Sequence, residues 1–327
     1  IIGDAQDNVI FGSEGSDVLR GGDGFDIADY SDLGAAITLQ TAGMVLKDGG
    51  AAGTDMLGFF DPNDLSTFET FEKVVGATGE TNVVDATSRS GAVNVTVNLA
   101  AGTFESEVVN PVGGFPAFTL GTTFGFEIEN FVDVIGTDNE DDIIGSNAAN
   151  ALFGNGGDDE IRGRGGDDDI RGAGGDDLLV GQNGDDDLNG GGGADTLRGG
   201  NGDDFLLAGG GDDRVIGGDG ADTFAFNLNS GAKSDALAGN GTFTRVNDFS
   251  LEDAVQFFGV GVIDAADAFA FAQIDAVDNG VEYRLASTTN NDQIQLRFDA
   301  DGGGTIENDE LFARLILDDI NDFLAVA

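Results

Sequence analysis

The sequence predicts an all-β fold, a parallel β-solenoid built from very short strands joined by glycine-rich turns. Three observations carry that prediction. A nine-residue period runs through the middle of the chain, 55 of the 327 residues are glycine, and one place in each period is always apolar. From Gly136 to Ala225 the chain divides into ten consecutive blocks of nine, among them GNGGDDEIR (154–162), GRGGDDDIR (163–171) and GAGGDDLLV (172–180). Position 4 is Gly in every block from residue 154 onward. Position 6 is acidic in nine of the ten: Asp141, Asp159, Asp168, Asp177, Asp186, Asp195, Asp204, Asp213 and Asp222. Asn150 is the exception. Position 8 is apolar throughout, from Ile143 and Leu152 to Val215 and Phe224.

Each place in the block has a physical reason. Glycine supplies turns with φ > 0 that a side chain would obstruct. The last three residues form a minimal strand with one side chain pointing inward, as strand alternation requires. One such strand buries too little to fold alone, whereas stacked strands build a continuous apolar column stabilised by nearest neighbours. Two blocks make one coil, so residue i lies over i+18. Asp159, Asp177, Asp195 and Asp213 then share one edge, and Asp168, Asp186, Asp204 and Asp222 the other. Carboxylates stacked about 4.7–4.9 Å apart repel one another when bare. With carbonyl oxygens between successive turns they form a hard-oxygen cage suited to Ca²⁺. A flexible Gly/Asp linker would not hold an apolar residue at position 8 through ten blocks.

The pattern resembles the RTX family of secreted calcium-binding nonapeptide-repeat proteins, whose consensus G-G-x-G-x-D-x-U-x it matches in period, glycines, Asp and apolar place. The resemblance implies a β-roll in which early-turn carbonyls and the position-6 carboxylates bind several calcium ions. It also implies type I secretion through a C-terminal signal, with folding outside the cell. Asn139, Ala148 and Asn150 depart from the consensus, so the first two blocks are expected to bind calcium weakly or not at all. Ala208 replaces Gly at position 1 and is expected to cost little.

Residues 1–29 hold three further blocks, with Asp17 and Asp26 at position 6 and Asn8 as the weak member. Across 30–135 the pattern loosens. The stretches beginning Asp29 and Asp85 resemble each other, as do those beginning Phe68 and Phe126, which suggests two copies of one supersecondary module. This part reads as degenerate solenoid coils carrying two insertions, roughly 44–67 and 103–124. The insertions hold Phe59, Phe60, Phe104, Phe115, Phe118 and Phe124, with Phe68 just beyond the first. They either plug the sides of the solenoid, the preferred reading because Phe is mostly buried, or serve self-association together with calcium. The repeats of 136–225 give way to a β cap over 226–327, needed to close an open sheet end. Residues 245–260, 281–287 and 292–298 read as strands.

Within that cap DADGGGTIENDE (299–310) resembles an isolated EF-type calcium loop, with Asp299, Asp301, Thr305, Glu307 and Glu310 as candidate ligands. Gly303 removes one carboxylate from the pattern, and an Asp/Gly-rich surface turn is the plain alternative. NDFSLEDAVQF resembles the segment that follows the last nonapeptide in RTX proteins, and NDFLAVA the apolar end of type I secretion signals.

Composition bounds the function. Acidic residues outnumber basic ones 61 to 14, for a formal charge of -47. Such self-repulsion destabilises a compact chain unless cations bind, and it argues against nucleic acid as a partner. The chain has no His and no Cys. Zinc catalysis through His, Ser-His-Asp hydrolysis and thiolate chemistry are therefore absent from these residues. No apolar run reaches the ~20 residues of a membrane span. Tyr30, in an Asp-Tyr-Ser turn, reads as structural. The expected function is non-enzymatic: a secreted, calcium-folded component of a surface layer, matrix or filament. The start at Ile1, without Met, leaves open a secretion module of a longer protease, lipase or epimerase, or else a calcium-dependent adhesin.

Overall fold

A computed structural model describes residues 1–40, 44–50, 53–57, 71–87, 93–108, 123–226, 244–249, 253–257, 261–264, 277–278, 281–287, 292–298 and 311–317. Nearly every described element is a strand; the lone helical turn among them is a 3-10 turn at Asp48–Gly50. The chain forms two compact units, Ile1–Ile161 and Arg162–Ala327.

The second unit holds the regular repeats. Asp169–Gly174, Asp187–Gly192, Phe205–Gly210 and Thr223–Phe226 stack in parallel in one sheet. Leu178–Asn183, Thr196–Asn201 and Arg214–Asp219 stack in the other. Partners are eighteen residues apart: Ile170 faces Leu188, Leu188 faces Leu206, and Leu179 faces Leu197. The position-8 side chains therefore superpose. Ile170, Leu188, Leu206 and Phe224 line one wall, while Leu179, Leu197 and Val215 line the other, all at most 1% exposed. Each buried aliphatic side chain contributes about 1.5–3 kcal/mol of transfer free energy. Val246 and Val255 extend these columns through parallel pairing to Val215 and Phe224. The direction then changes: Leu311–Leu317, Asp292–Phe298, Val281–Ser287 and Val277–Asp278 pair antiparallel in sequence. The three segments expected to be strands in this region contain strands at Thr244–Phe249, Ala254–Phe257, Val281–Ser287 and Asp292–Phe298.

The first unit winds the same way with a less regular coil length. Ala28 faces Val74 and Val74 faces Ile128 in one sheet. Leu39, Val84, Val134 and Leu152 run in register in the other. Apart from the 3-10 turn Asp48–Gly50, the described parts of both insertion stretches belong to the sheets. Met44–Lys47 and Gly53–Leu57 continue antiparallel from Ile37–Gln40, and Gly53–Leu57 pairs parallel with Val18–Leu19. Thr103–Val108 lies antiparallel between Val93–Asn98 and Thr123–Glu129. Burial alternates along Met44–Lys47 and along 103–107, as strand geometry requires. Phe104 is buried and stacks on Phe126 with ring centroids 4.8 Å apart. Phe59, Phe60, Phe68, Phe115 and Phe118 lie outside the described residues, and Phe124 is described in its backbone only.

In the eight blocks from residue 154 onward the turns use left-handed backbone at two places, positions 2 and 4. Position 4 is glycine, but position 2 is occupied in four blocks by Asn155, Arg164, Ala173 and Gln182, at φ 79° to 86°. A non-glycine residue there costs roughly 1–2 kcal/mol, partly offset by the lower entropy of its unfolded chain. Gly184 differs, because its φ is 129° and a Cβ would strike the Gly166 carbonyl. Ala173→Gly is expected to raise calcium-loaded stability by up to about 1 kcal/mol, and Gly184→Ala to lower it by about 2 kcal/mol. Denaturant unfolding in saturating calcium measures both.

Candidate metal centre

The position-6 carboxylates are held by the backbone of the neighbouring coil. Asp168 donates its N–H to Asp186 Oδ1 at 2.8 Å, Asp186 to Asp204 at 2.9 Å, and Asp204 to Asp222 at 3.0 Å. On the other edge Asp177 donates to Asp195 and Asp195 to Asp213. Each side chain is at most 2% exposed. One carboxylate oxygen is thus spent on positioning the turn, which leaves the second oxygen to be accounted for.

That second oxygen points inward over glycine. Oδ2 of Asp26, Asp186, Asp195 and Asp204 is buried and has no hydrogen-bond partner among the described residues. The space above the position-1 residue is where it sits. A Cβ on Gly190 would collide with both Asp195 Oδ2 and the Ala208 carbonyl oxygen. A Cβ on Gly181 would meet Asp186 Oδ2 and the Gly199 carbonyl, and one on Gly199 would meet Asp204 Oδ2 and the Gly217 carbonyl. A carboxylate oxygen beside a carbonyl oxygen is repelled by it, and burying that carboxylate oxygen without a donor costs several kcal/mol. Among the described residues no three carboxylates gather at one point. The converging oxygens are instead mixed, one carboxylate with backbone carbonyls, which is a donor set Ca²⁺ accepts. The site therefore fits a hard divalent cation. Bound there, calcium would supply the positive charge that these oxygens face and would tie successive turns together.

Burial acts on the carboxyls accordingly. Desolvation pushes Asp195, Asp204 and Asp222 up to about 7, with neighbouring aspartates adding to the rise. Asp186 and Asp141 are pushed up to about 6, again chiefly by desolvation.

The remaining sequence candidates divide. Asp26 is buried and accepts the Asn8 N–H through Oδ1 at 2.8 Å, while Asp159 accepts that of Asp141. Asp222 donates onward to Asp253 Oδ1, and Asp213 Oδ2 also accepts the Thr244 hydroxyl at 3.3 Å. Asp141 has both oxygens occupied by protein donors: Thr137 N–H on Oδ2 at 2.6 Å, Val95 N–H and the Thr137 hydroxyl on Oδ1. Asn150 likewise accepts the Ser146 N–H. Asp17 is half-buried, and its Oδ2 accepts the Ser13 hydroxyl. Asp299, Asp301, Thr305, Glu307 and Glu310 lie outside the described residues.

Three column members escaped the repeat pattern. Asp55 accepts the Asp17 N–H, Glu72 that of Asp26, and Asp253 that of Asp222. Each sits on a coil whose length is not eighteen, so periodicity could not find it. A second, exposed ladder was also missed. Position-5 Asp167 accepts the N–H of Asp185, Asp185 that of Asp203, and Asp203 that of Ala221.

The defining pattern of the RTX calcium-binding nonapeptide repeat matches four segments, residues 1–28, 135–170, 162–197 and 189–224. These segments match the RTX calcium-binding nonapeptide repeat, and the strands within them stack in parallel sheets as in a β-roll. No curated protein matches the chain. Among solved structures it is similar to the extracellular lipase LipA from Serratia marcescens, at 13% identity and a TM-score of 0.17. That match covers 96% of this chain and 36% of the lipase chain, so the chain spans about a third of its length.

Two outcomes follow for the site. A carboxyl whose folded value lies above its unfolded value, near 3.9, binds more protons when folded. Its calcium-free stability is thus full below about pH 4 and is lost as pH rises toward the folded value near 7. In excess chelator, far-UV circular dichroism is expected to show more β-structure at about pH 5 than at about pH 8. Asp195→Asn is expected to lower the number of calcium ions bound per chain, measured by equilibrium dialysis, whereas exposed Asp187→Asn leaves it unchanged.

Proposed function

We propose that the chain is a secreted structural protein whose nonapeptide coils fold outside the cell on Ca²⁺, and which then assembles into a surface layer, matrix or filament. The buried, unpartnered Oδ2 atoms of Asp186, Asp195 and Asp204 carry this reading. A regular stack that faces anionic oxygen toward its own carbonyls needs a cation to close. Extracellular calcium modules bind in roughly the 10⁻⁴–10⁻³ M range. Because the site does not exist in the unfolded chain, its binding free energy is folding free energy. Low cytosolic calcium then keeps the repeats open for export by a type I system, and external calcium winds them.

Assembly is supported by the kind of surface the chain carries. Net charge of -47 would keep separate copies apart until divalent ions screen or bridge them. The exposed position-5 aspartates offer such bridging sites along one edge. The absence of His and Cys from the sequence argues for a scaffold over an enzyme.

Circular dichroism and light scattering, recorded while calcium is added to chelator-treated protein, test this reading. A coil-to-β transition at about 0.1–1 mM calcium followed by ordered particles is the expected result. The same transition ending in a stable monomer would favour a secretion and folding module of a longer enzyme, or an adhesin. No transition at all would remove the calcium reading.

A further inference from the structure

One turn of the first unit carries a cation of its own. Lys47 is completely buried, and its ammonium lies 2.5 Å from Asp55 Oδ1 and 2.5 Å from the Ser13 carbonyl oxygen. Asp55 is the column carboxylate of this coil, since its Oδ1 also accepts the Asp17 N–H at 2.9 Å. That is the bond which Asp186, Asp204 and Asp222 accept in the regular stack. Ser13 occupies position 2 of the block 12–20. Lys47 therefore joins a column carboxylate to a turn carbonyl, the same two kinds of oxygen that converge above Gly190.

The second carboxylate oxygen is accounted for as well. The Tyr30 hydroxyl donates to Asp55 Oδ2 at 2.9 Å, and Tyr30 is fully buried. Desolvation first, then the Asp55 charge, raises its ionisation far above the ordinary phenol value, so it stays a donor. The Tyr30 ring fills the space above Gly12, position 1 of this block, which in the regular stack is filled by the aspartate Oδ2. Gly12, Gly190 and Gly199 are thus equivalent glycines with different occupants above them. A neutral counterpart stands further along the unit. Buried Asn82 accepts the Ile37 N–H through Oδ1, and its amide nitrogen donates to the carbonyls of Ala77, Glu80 and Asn130 at 2.7–3.2 Å.

We propose that Lys47, with Tyr30, is a built-in replacement for calcium at the Gly12–Asp17 turn, so that this coil closes without the metal. A single positive charge on a tethered ammonium balances the single buried carboxylate of Asp55. The substitution also explains the hairpin Met44–Lys47 to Gly53–Leu57, which brings Lys47 and Asp55 to neighbouring strands eight residues apart. The sheets of the first unit then hold a segment formed before calcium arrives, while the regular repeats wait for the ion. This inference rests on the calcium reading of the aspartate columns.

Amide hydrogen exchange of the full chain, resolved by peptide, tests it in excess chelator and in millimolar calcium. In chelator, peptides within 27–57 are expected to exchange on the order of 100-fold more slowly than peptides within 178–219. Equal, rapid exchange in both regions would overturn the Lys47 inference while leaving the calcium reading intact. Slow exchange in both would overturn the calcium reading itself. Lys47→Ala separates replacement from ordinary packing. Its 27–57 protection should vanish in chelator and return in calcium, with one more calcium bound per chain than the wild type by equilibrium dialysis. Failure of calcium to restore protection, or an unchanged count, would contradict the replacement. Lys47→Met, which fills the same volume without charge, should lose protection in chelator and recover less in calcium than Lys47→Ala.

Discussion

Parallel stacking of identical turns superposes like residues, and the structure depends on how it answers the resulting column of carboxylates. Strands repeat at about 4.7–4.9 Å, so aspartates at position 6 stand closer together than charges in water tolerate without screening. One oxygen of each is committed to a backbone N–H of the preceding coil. That commitment fixes the turn but drives the other oxygen into the interior above a glycine. Glycine at position 1 is therefore a demand for space by the carboxylate, distinct from the demand for left-handed backbone at position 4.

The two units answer the constraint differently. In Arg162–Ala327 the inward oxygens of Asp186, Asp195 and Asp204 have no protein donor among the described residues, which is the place the proposed calcium would take. In Ile1–Ile161 protein groups take over at several turns: the Thr137 N–H at Asp141, the Lys47 ammonium and Tyr30 hydroxyl at Asp55, and the Asn82 amide, which donates to the carbonyls of Ala77, Glu80 and Asn130. On the proposed calcium reading, the regular turns need the ion where an irregular coil can supply a donor of its own. A strict nonapeptide has no room for a long donor side chain, whereas an irregular coil can send one in from a hairpin.

Much of this was legible in the sequence. Position 8 announced the core, and its ten apolar residues include Ile170, Leu179, Leu188 and Phe224, all buried in register eighteen residues apart. Position 6 announced the columns for the same reason, because period and chemistry coincide there. Asp55, Glu72 and Asp253 were invisible to periodicity, since the coils they close are longer than eighteen residues. Lys47 carries no signal in the sequence. Its role depends on a hairpin register that places it beside Asp55, a tertiary fact with no local signature. Left-handed Arg164, Ala173 and Gln182 could not be foreseen either, because stacking imposes their backbone against their own preference.

Crystals grown in calcium and measured for anomalous scattering near the calcium edge would locate the ions directly. Peaks should lie between successive turns, against Asp186 Oδ2, Asp195 Oδ2 and Asp204 Oδ2 and beside the carbonyls of Gly199, Ala208 and Gly217. Peaks confined to the exposed position-5 ladder of Asp167, Asp185 and Asp203, with the buried oxygens left bare, would contradict a stack closed by calcium.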